Sequence, residues 1–542
     1  MKQSKTKKRE LIVWGIIILY AIIFSIYAYF TLYHIMDSDI GSEMLISRTL
    51  GDEHNFLMSK SIIYNTEIRL FDVQNLAGIV SCFTNDWRLY TVIANGIFLA
   101  AFCYVIFRIS LFIIKNENNE KAAYIISLIC ALFTCFPYSK NYYYIGLGCG
   151  YYLGKYLLEA LLVLFTLLML KKPKFKDWKY VALLLLSALA GVKGVRYMLV
   201  IYIPICIALF IIFVAEIGFV NELKLVQIKE KLGKEKLIGA TIIGTSIVAY
   251  LAGYVFNLKI LNKMFSYASY TGITFGDFGE SSLAERAAEL LAGWFDVMGY
   301  RPKVEVFSLD GIANVLILAA FGSFVYCTVF LFKRFAKLNF ISQFILLFVN
   351  ISIIFNSYVF LVTDEFVARY YTPIYIFIFL IVSVYLNEKD ENAIYKLIVS
   401  CILCIYMLVT CITTVKVMNA VDNISYRMGS CDFLLENGYT FGYATFWNAN
   451  FYSGLTDGKI EMAGITDPGT MEAYRWNTLE KYYERDYCKE KTFILLTTVE
   501  YEKYKDSQVI QSGDIVYQDS GYVIVGYANS ESLYDLVSES KN

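Results

Sequence analysis

Residues 11–33 read LIVWGIIILYAIIFSIYAYFTLY, an uncharged apolar run long enough to cross a bilayer. A chain that enters lipid must satisfy its backbone polar groups internally, so this run and others like it must be helices. Lys2, Lys5, Lys7, Lys8 and Arg9 precede the run and predict a cytoplasmic N-terminus. No small-residue cleavage site follows it, so it reads as a retained anchor. Hydropathy and loop charge predict about eleven spans. They lie near 11–33, 89–114, 121–137, 151–170, 180–192, 197–218, 237–256, 312–332, 340–362, 371–387 and 396–417. The fifth is short, and with its neighbour it reads as a pair bent at Gly191–Arg196. A composition that is 57% hydrophobic, with a net charge of zero, fits a multi-pass cell-membrane protein and gives no reason to expect a nucleic-acid partner.

Charge alternates along the loops. Lys171, Lys172, Lys174, Lys176 and Lys179 form one basic loop. Lys224, Lys229, Lys231, Lys234 and Lys236 form a second, and Lys333, Arg334 and Lys337 a third. The positive-inside rule puts these in the cytoplasm and residues from 418 onward outside. The predicted division is a membrane domain over 1–417 and an extracellular α/β domain over 418–542. The latter has strand-like stretches such as KTFILLTTV and DIVYQDSGYVIVGYA. Cys431 and Cys488 fall in it and are a candidate disulfide. Two outer loops are long, 34–88 and 257–310. In the first, SEMLISRTL has helical spacing that would set Met44, Leu45, Ile46 and Leu50 on lipid and Glu43, Ser47 and Arg48 in water. MSKSIIYNTEIRLFDVQNLAGIV looks similar. In the second loop, SSLAERAAELLAGWFDVMGY reads as an interfacial helix.

The most suggestive polar motif is Asp37-Ser38-Asp39, just past the first span on the predicted outer face. Two carboxylates at the membrane surface suit chemistry on a lipid-linked molecule. The plainer explanation is an acidic helix N-terminus favoured by the dipole. Arg69, Arg88, Lys193, Arg196 and Arg369 lie in outer loops or at outer span ends, and arginine suits forked contacts with phosphate oxygens. Taken one by one, each is also explained by snorkelling or pairing at the interface. Arg369, in DEFVARYYTP, stands out because it follows a long apolar span and precedes Tyr370, Tyr371 and Pro373.

An acidic motif opening the first outer loop of a hydrophobic chain resembles the GT-C superfamily of membrane glycosyltransferases, in the aminoarabinose and protein-mannosyl transferase group. Members carry an Asp, usually followed by Glu, several residues before an interfacial IAR or ISR helix. Here Ile46-Ser47-Arg48 matches that helix, and the spacing sets Asp39 on the catalytic Asp. Ile40 stands where the family often has Glu, so Asp37 remains an alternative base. ARYYTP resembles the aromatic and basic turn of a late span, and Tyr439–Ile465 the outer tail of Gram-positive members. The resemblance implies a GT-C-like helical fold and transfer of a sugar from a polyprenyl-phosphate donor to a glycan, lipid or protein acceptor. It also implies contact with membrane lipid. The chemistry asks for a carboxylate base, cations for the departing phosphate and a groove for the tail.

The resemblance implies no obligatory cofactor. Relatives with a DxD-like site use a divalent ion, and His34, Asp37, Asp39 and Glu43 offer mixed ligands for Mg or Mn. Competing classes fare worse. A transporter or flippase would carry charges inside its spans, where only Lys155 and Glu159 stand out. A membrane O-acyltransferase needs a histidine in a span, and the two histidines, His34 and His54, are in the first outer loop. GCGYYLGKY fails as a P-loop at Cys149 and Tyr156. An envelope-assembly protein without catalytic activity is the remaining alternative.

Overall fold

The computed structural model describes residues 2–114, 120–217, 225–268, 275–276, 282–363, 366–389 and 392–539. Lys224, Asp364, Glu365 and the stretches 269–274 and 277–281 of the second long loop, all invoked above, lie outside the described residues. Among the described residues, nine helices are long and apolar enough to cross a membrane. They are Lys7–Ile35, Trp87–Ile113, Leu153–Lys171, Met198–Ile217, Lys231–Met264, Leu309–Lys333, Phe340–Val362, Ala368–Asn387 and Ala393–Asn419. The two other expected spans are helices as well, Glu120–Thr134 and Trp178–Lys193, of 15 and 16 residues. At 1.5 Å per residue these fall short of a hydrocarbon core about 30 Å thick. The chain is a multi-pass membrane protein.

The chain divides into two compact units. A helical unit comprises Met1–Ile22, Ile97–Leu258 and Gly272–Val417. A mixed unit comprises Ile23–Gly96, Lys259–Thr271 and Met418–Asn542. In the helical unit the expected bend is present. The helix Trp178–Lys193 stops at Gly194, whose φ of +120° favours glycine, and helical structure resumes at Met198. The carbonyls freed by the break find new donors. Tyr250 Oη donates to Gly194 O at 3.0 Å, and Asn257 Nδ2 to Val192 O at 2.6 Å. Breaks at membrane depth are tolerated where neighbours do this. The expected interfacial helix is Leu283–Val297. It opens on a capping box in which Ser282 Oγ accepts from Glu285 N and Glu285 Oε2 accepts from Ser282 N.

The mixed unit is built on two sheets. Strands β1 (Ile62–Tyr64), β2 (Ser266–Tyr267) and β6 (Thr478–Leu479) form a small sheet in the order β2-β1-β6. It joins residues from both long loops and the C-terminal region. The larger sheet has β3 (Phe441–Thr445), β4 (Glu461–Asp467), β5 (Glu472–Ala473), β7 (Thr492–Thr497), β8 (Asp514–Gln518) and β9 (Tyr522–Tyr527). Its order is β5-β4-β3-β7-β9-β8, with β4, β3 and β7 parallel and the rest antiparallel. The sequences TFILLT and YVIVGY are buried almost throughout, as near-continuous runs of β-branched, aromatic and other apolar residues in a sheet covered on two faces should be. Cys431 and Cys488 are free thiols in this unit, and Cys488 Sγ donates to Glu490 O at 3.3 Å.

The first long loop corrects one expectation. SEMLISRTL is helical, within α2 (Ser38–Asp52), which follows α1 (Lys2–Ile35). It does not divide into a lipid face and a water face. Met44, Leu45, Ile46 and Leu50 are buried, and so are Glu43 and Ser47. The helix Val73–Ser81 packs on α2 from one direction and the helix Phe446–Leu455 from another. Amphipathic spacing says that a face will be covered; it does not say by what. The following segment is not one amphipathic helix either. β-branched Ile62 and Ile63 form β1, and helix starts only after Asp72, whose side chain takes part in a capping box with Asn75.

Burying Glu43 requires a partner. Arg69 Nη2 is 2.7 Å from Glu43 Oε1, with side-chain exposures of 1% and 6%, and Gln74 Nε2 donates to Glu43 Oε2. Breaking such a pair strands a charge, at a cost of about 3–5 kcal/mol. Arg69→Met should therefore lower the melting temperature in detergent sharply. Glu43→Gln combined with Arg69→Met should recover much of the loss.

Candidate active site

The first span ends at Ile35, and two residues later Asp37 starts α2. Asp37 has extended backbone (φ −149°), and its Oδ1 accepts from Ile40 N at 2.9 Å. This is the N-cap role open to a carboxylate in Asp-x-x patterns. The turn before it is held by Asn423. Its backbone N donates to His34 O at 2.9 Å, and its Nδ2 to Ile35 O at 3.3 Å and Met36 O at 3.2 Å. Arg427 donates to Asn423 O at 2.7 Å and lies over the Phe451 ring at 4.3 Å, close enough for its charge to act on Asp37.

Asp37 and Asp39 are two residues apart and sit in different environments. Burial pushes the Asp37 carboxyl up to about 7, partly offset by the Ile40 amide and reinforced by the charge of Asp39. Asp39, in the first turn of α2, lines a cleft of about 420 Å³. The other lining residues are Thr445, Phe446, Trp447, Ile465, Thr466, Tyr474 and Trp476. Thr445 ends β3, and Ile465 and Thr466 lie toward the end of the parallel neighbour β4. The cleft is thus at the carboxyl ends of adjacent parallel strands, where open α/β sheets commonly bind ligands. Ser38 Oγ donates to Phe446 O, and Asn450 Nδ2 donates to Ser42 Oγ at 2.7 Å, so α2 is tied to the helix Phe446–Leu455. Gly41 permits the contact: a Cβ there would stand 1.9 Å from Asn450 O.

The remaining sequence candidates distribute as follows. His34 is exposed at the end of the first helix, with its ring edge-on to Tyr33. Glu43, proposed as a weak metal ligand, is committed to Arg69 and Gln74. Among the described residues no group of three or more His, Cys, Asp or Glu is arranged to hold a metal ion. Arg69, proposed for phosphate, is the buried partner of Glu43. Arg88 is half-buried in the mixed unit, 4.8 Å and 4.9 Å from the rings of Tyr29 and Tyr33.

Lys193, Arg196 and Arg369 belong to the helical unit. Lys193 is buried at the end of its helix. Arg196 lies 4.6 Å from the Tyr152 ring, and Lys155 Nζ lies 4.3 Å from the same ring and 4.8 Å from that of Tyr151. Arg369 sits in the turn Ala368–Tyr371. Its carbonyl accepts from Thr372 Oγ1 at 2.7 Å, and that hydroxyl accepts from Tyr156 Oη at 2.6 Å. The Tyr152 and Tyr156 rings meet edge to face at 6.1 Å, so this turn and the two cations share one aromatic scaffold. Glu159, fully buried, feels the charges of Arg196 and Lys155.

Reading the sequence missed the cleft walls. Trp447 and Trp476 are two of the six tryptophans of the chain and both stand in the C-terminal region, and Trp447 is 62% exposed. In the sequence Lys155 reads only as a charge in a span, and nothing local marks Arg427.

A carboxyl held near 7 titrates differently from its ordinary value near 3.8. Between those values the folded protein keeps a proton that the unfolded chain releases, so this group's contribution to stability falls as pH rises through that window. Asp37→Asn keeps the cap and removes the titration. Its melting-temperature advantage over the parent should grow from pH 4 to 7 and then level off.

No family model matches the chain, and no curated protein sequence matches it. Solved structures do. The crystal structure of ArnT from Cupriavidus metallidurans in the apo state is 11% identical, with 96% of this chain and 98% of that one covered, at a TM-score of 0.54. The structure of ArnT from the same organism bound to undecaprenyl phosphate is also 11% identical, covering 94% and 98%, at a TM-score of 0.52. Nearly the whole chain therefore follows the fold of these ArnT structures.

Proposed function

We propose that the protein transfers a sugar from a polyprenyl-phosphate donor to a cell-envelope acceptor on the outer face of the membrane. The observation that carries this reading is Asp39, a carboxylate at a helix N-terminus opening on an aromatic cleft. Asp39 takes the proton of the acceptor hydroxyl as its oxygen bonds to the anomeric carbon. The bond from that carbon to the phosphate oxygen breaks, and its electron pair leaves on the polyprenyl phosphate. Asp37 shapes the start of α2 and is the alternative base. The fold shared with ArnT, one structure of which holds undecaprenyl phosphate, supports a lipid-phosphate donor.

Phosphate stabilisation falls to cations held against tyrosine rings. These are Arg196 and Lys155 of the helical unit, on the aromatic scaffold that also carries the Arg369 turn. Lys193 is assigned to the same group. Arg69 supports the site through Glu43. Charge-assisted contacts of this kind stabilise a leaving phosphate as its charge grows. No metal is assigned a role.

Asp39→Asn preserves shape and removes basicity. It should fold, reach the membrane and bind donor, and its turnover should fall by about 10²–10⁴. Parental turnover in Asp39→Asn together with a dead Asp37→Asn would move the base by two residues; activity in both would end this reading. For sidedness, Ser512 is exposed in the mixed unit. Ser512→Cys should gain labelling over the parent from an impermeant maleimide added to intact cells. Labelling only after lysis would reverse the topology.

A further inference from the structure

The cleft beside Asp39 has a chemical character of its own. Phe446 and Tyr474 rings lie 5.1 Å apart, Phe446 and Trp447 5.2 Å, and Tyr474 and Trp476 6.5 Å with planes 27° apart. The four rings thus form a continuous row along the wall. Thr445 and Thr466 add hydroxyls, and Thr466 Oγ1 is already 3.0 Å from Glu472 Oε2. Among the described residues of the lining, Asp39 is the charged one and there is no Lys or Arg. Arg475, between Tyr474 and Trp476 in the chain, is drawn to Glu480 at 2.9 Å and lies over the Tyr483 ring.

We infer that this cleft is the acceptor subsite and that the acceptor it takes is an uncharged saccharide. The inference rests on the transferase reading above and narrows its acceptor. A pyranose ring presents an apolar C–H face and a rim of hydroxyls. A row of aromatic faces with a few polar groups at its edge matches that surface. A phosphorylated or otherwise anionic acceptor would meet the Asp39 carboxylate in a lining that, among the described residues, offers neither Lys nor Arg, which anion recognition normally recruits. An extended peptide would need open strand edges or backbone partners, and the part of β4 at the cleft is paired on its two sides, with β3 and β5. The saccharide hydroxyl nearest Asp39 is then the one that reacts.

The test is equilibrium binding of the full-length protein in detergent to a panel of neutral oligosaccharides, their phosphorylated counterparts and Ser/Thr peptides. At least one neutral saccharide should bind, and Trp447→Ala and Trp476→Ala should each weaken it about tenfold, the usual scale for a truncated tryptophan anchor. Trp447→Phe keeps an aromatic face and should restore most of the affinity. Trp447 is largely exposed, so its removal leaves the fold intact. Binding only to phosphorylated members, only to peptides, or to nothing would overturn the inference, as would saccharide binding indifferent to both tryptophans. Undecaprenyl phosphate binding by the parent is measured in parallel. If it fails, the transferase reading falls; if it succeeds and the saccharides fail, only the acceptor assignment falls.

Discussion

The buried contact between Glu43 and Arg69 is the constraint on which the mixed unit turns. A carboxylate on a side chain only 6% exposed is tolerable only with charged, hydrogen-bonded partners, and Arg69 and Gln74 supply them. Glu43 is one helical turn beyond Asp39, so fixing one fixes the other. Gly41 lies between them and lets the backbone of the Phe446 helix approach. α2 is therefore held through its flanks by groups that take no part in chemistry. The carboxylate at its start is positioned by them, as a preorganised site requires.

That arrangement separates two acids that are nearly adjacent in the chain. Asp37 is turned back onto the Ile40 amide and shielded, so much of its electrostatics is spent inside the protein. Asp39 is directed to the cleft. The difference follows from the N-cap geometry: the cap residue folds over the first turn, while the residue two positions on projects from it. The dipole of α2 favours a negative charge at that place, which suits a base that must be ionised before it acts.

The helical unit manages charge by another route. Lys155 and Glu159 are buried within one apolar helix, an expensive placement that recurs in membrane proteins at functional positions. Lys155 is joined by Arg196 over one tyrosine ring. Glu159 lies within electrostatic reach of both cations, so opposite charge is buried beside them. The aromatic scaffold from Tyr152 to Tyr156 and on to Thr372 carries the Arg369 turn as well, so residues more than 200 positions apart share a single support.

Membrane class, the positions of the helices and the bend near Gly194 were legible in the sequence because lipid admits few backbone solutions and length and apolarity report them directly. The Asp37-Ser38-Asp39 motif was legible as a helix start, and ISR as a helix. What covers that helix was not, because hydrophobic spacing gives a direction and no partner. Met44 and Ile46 read as lipid-facing residues and are sealed by protein. Arg69 read as a phosphate ligand for the same reason: nothing local reveals that Glu43, 26 residues earlier, will be buried against it. The cleft could not be read at all, since Asp39 and Trp447 are brought together by packing of α2 on a sheet formed some 400 residues later. The chain by itself determined where helices and carboxylates would be; only tertiary packing decided which carboxylate faces a cavity, because that choice depends on long-range contacts that no local pattern encodes.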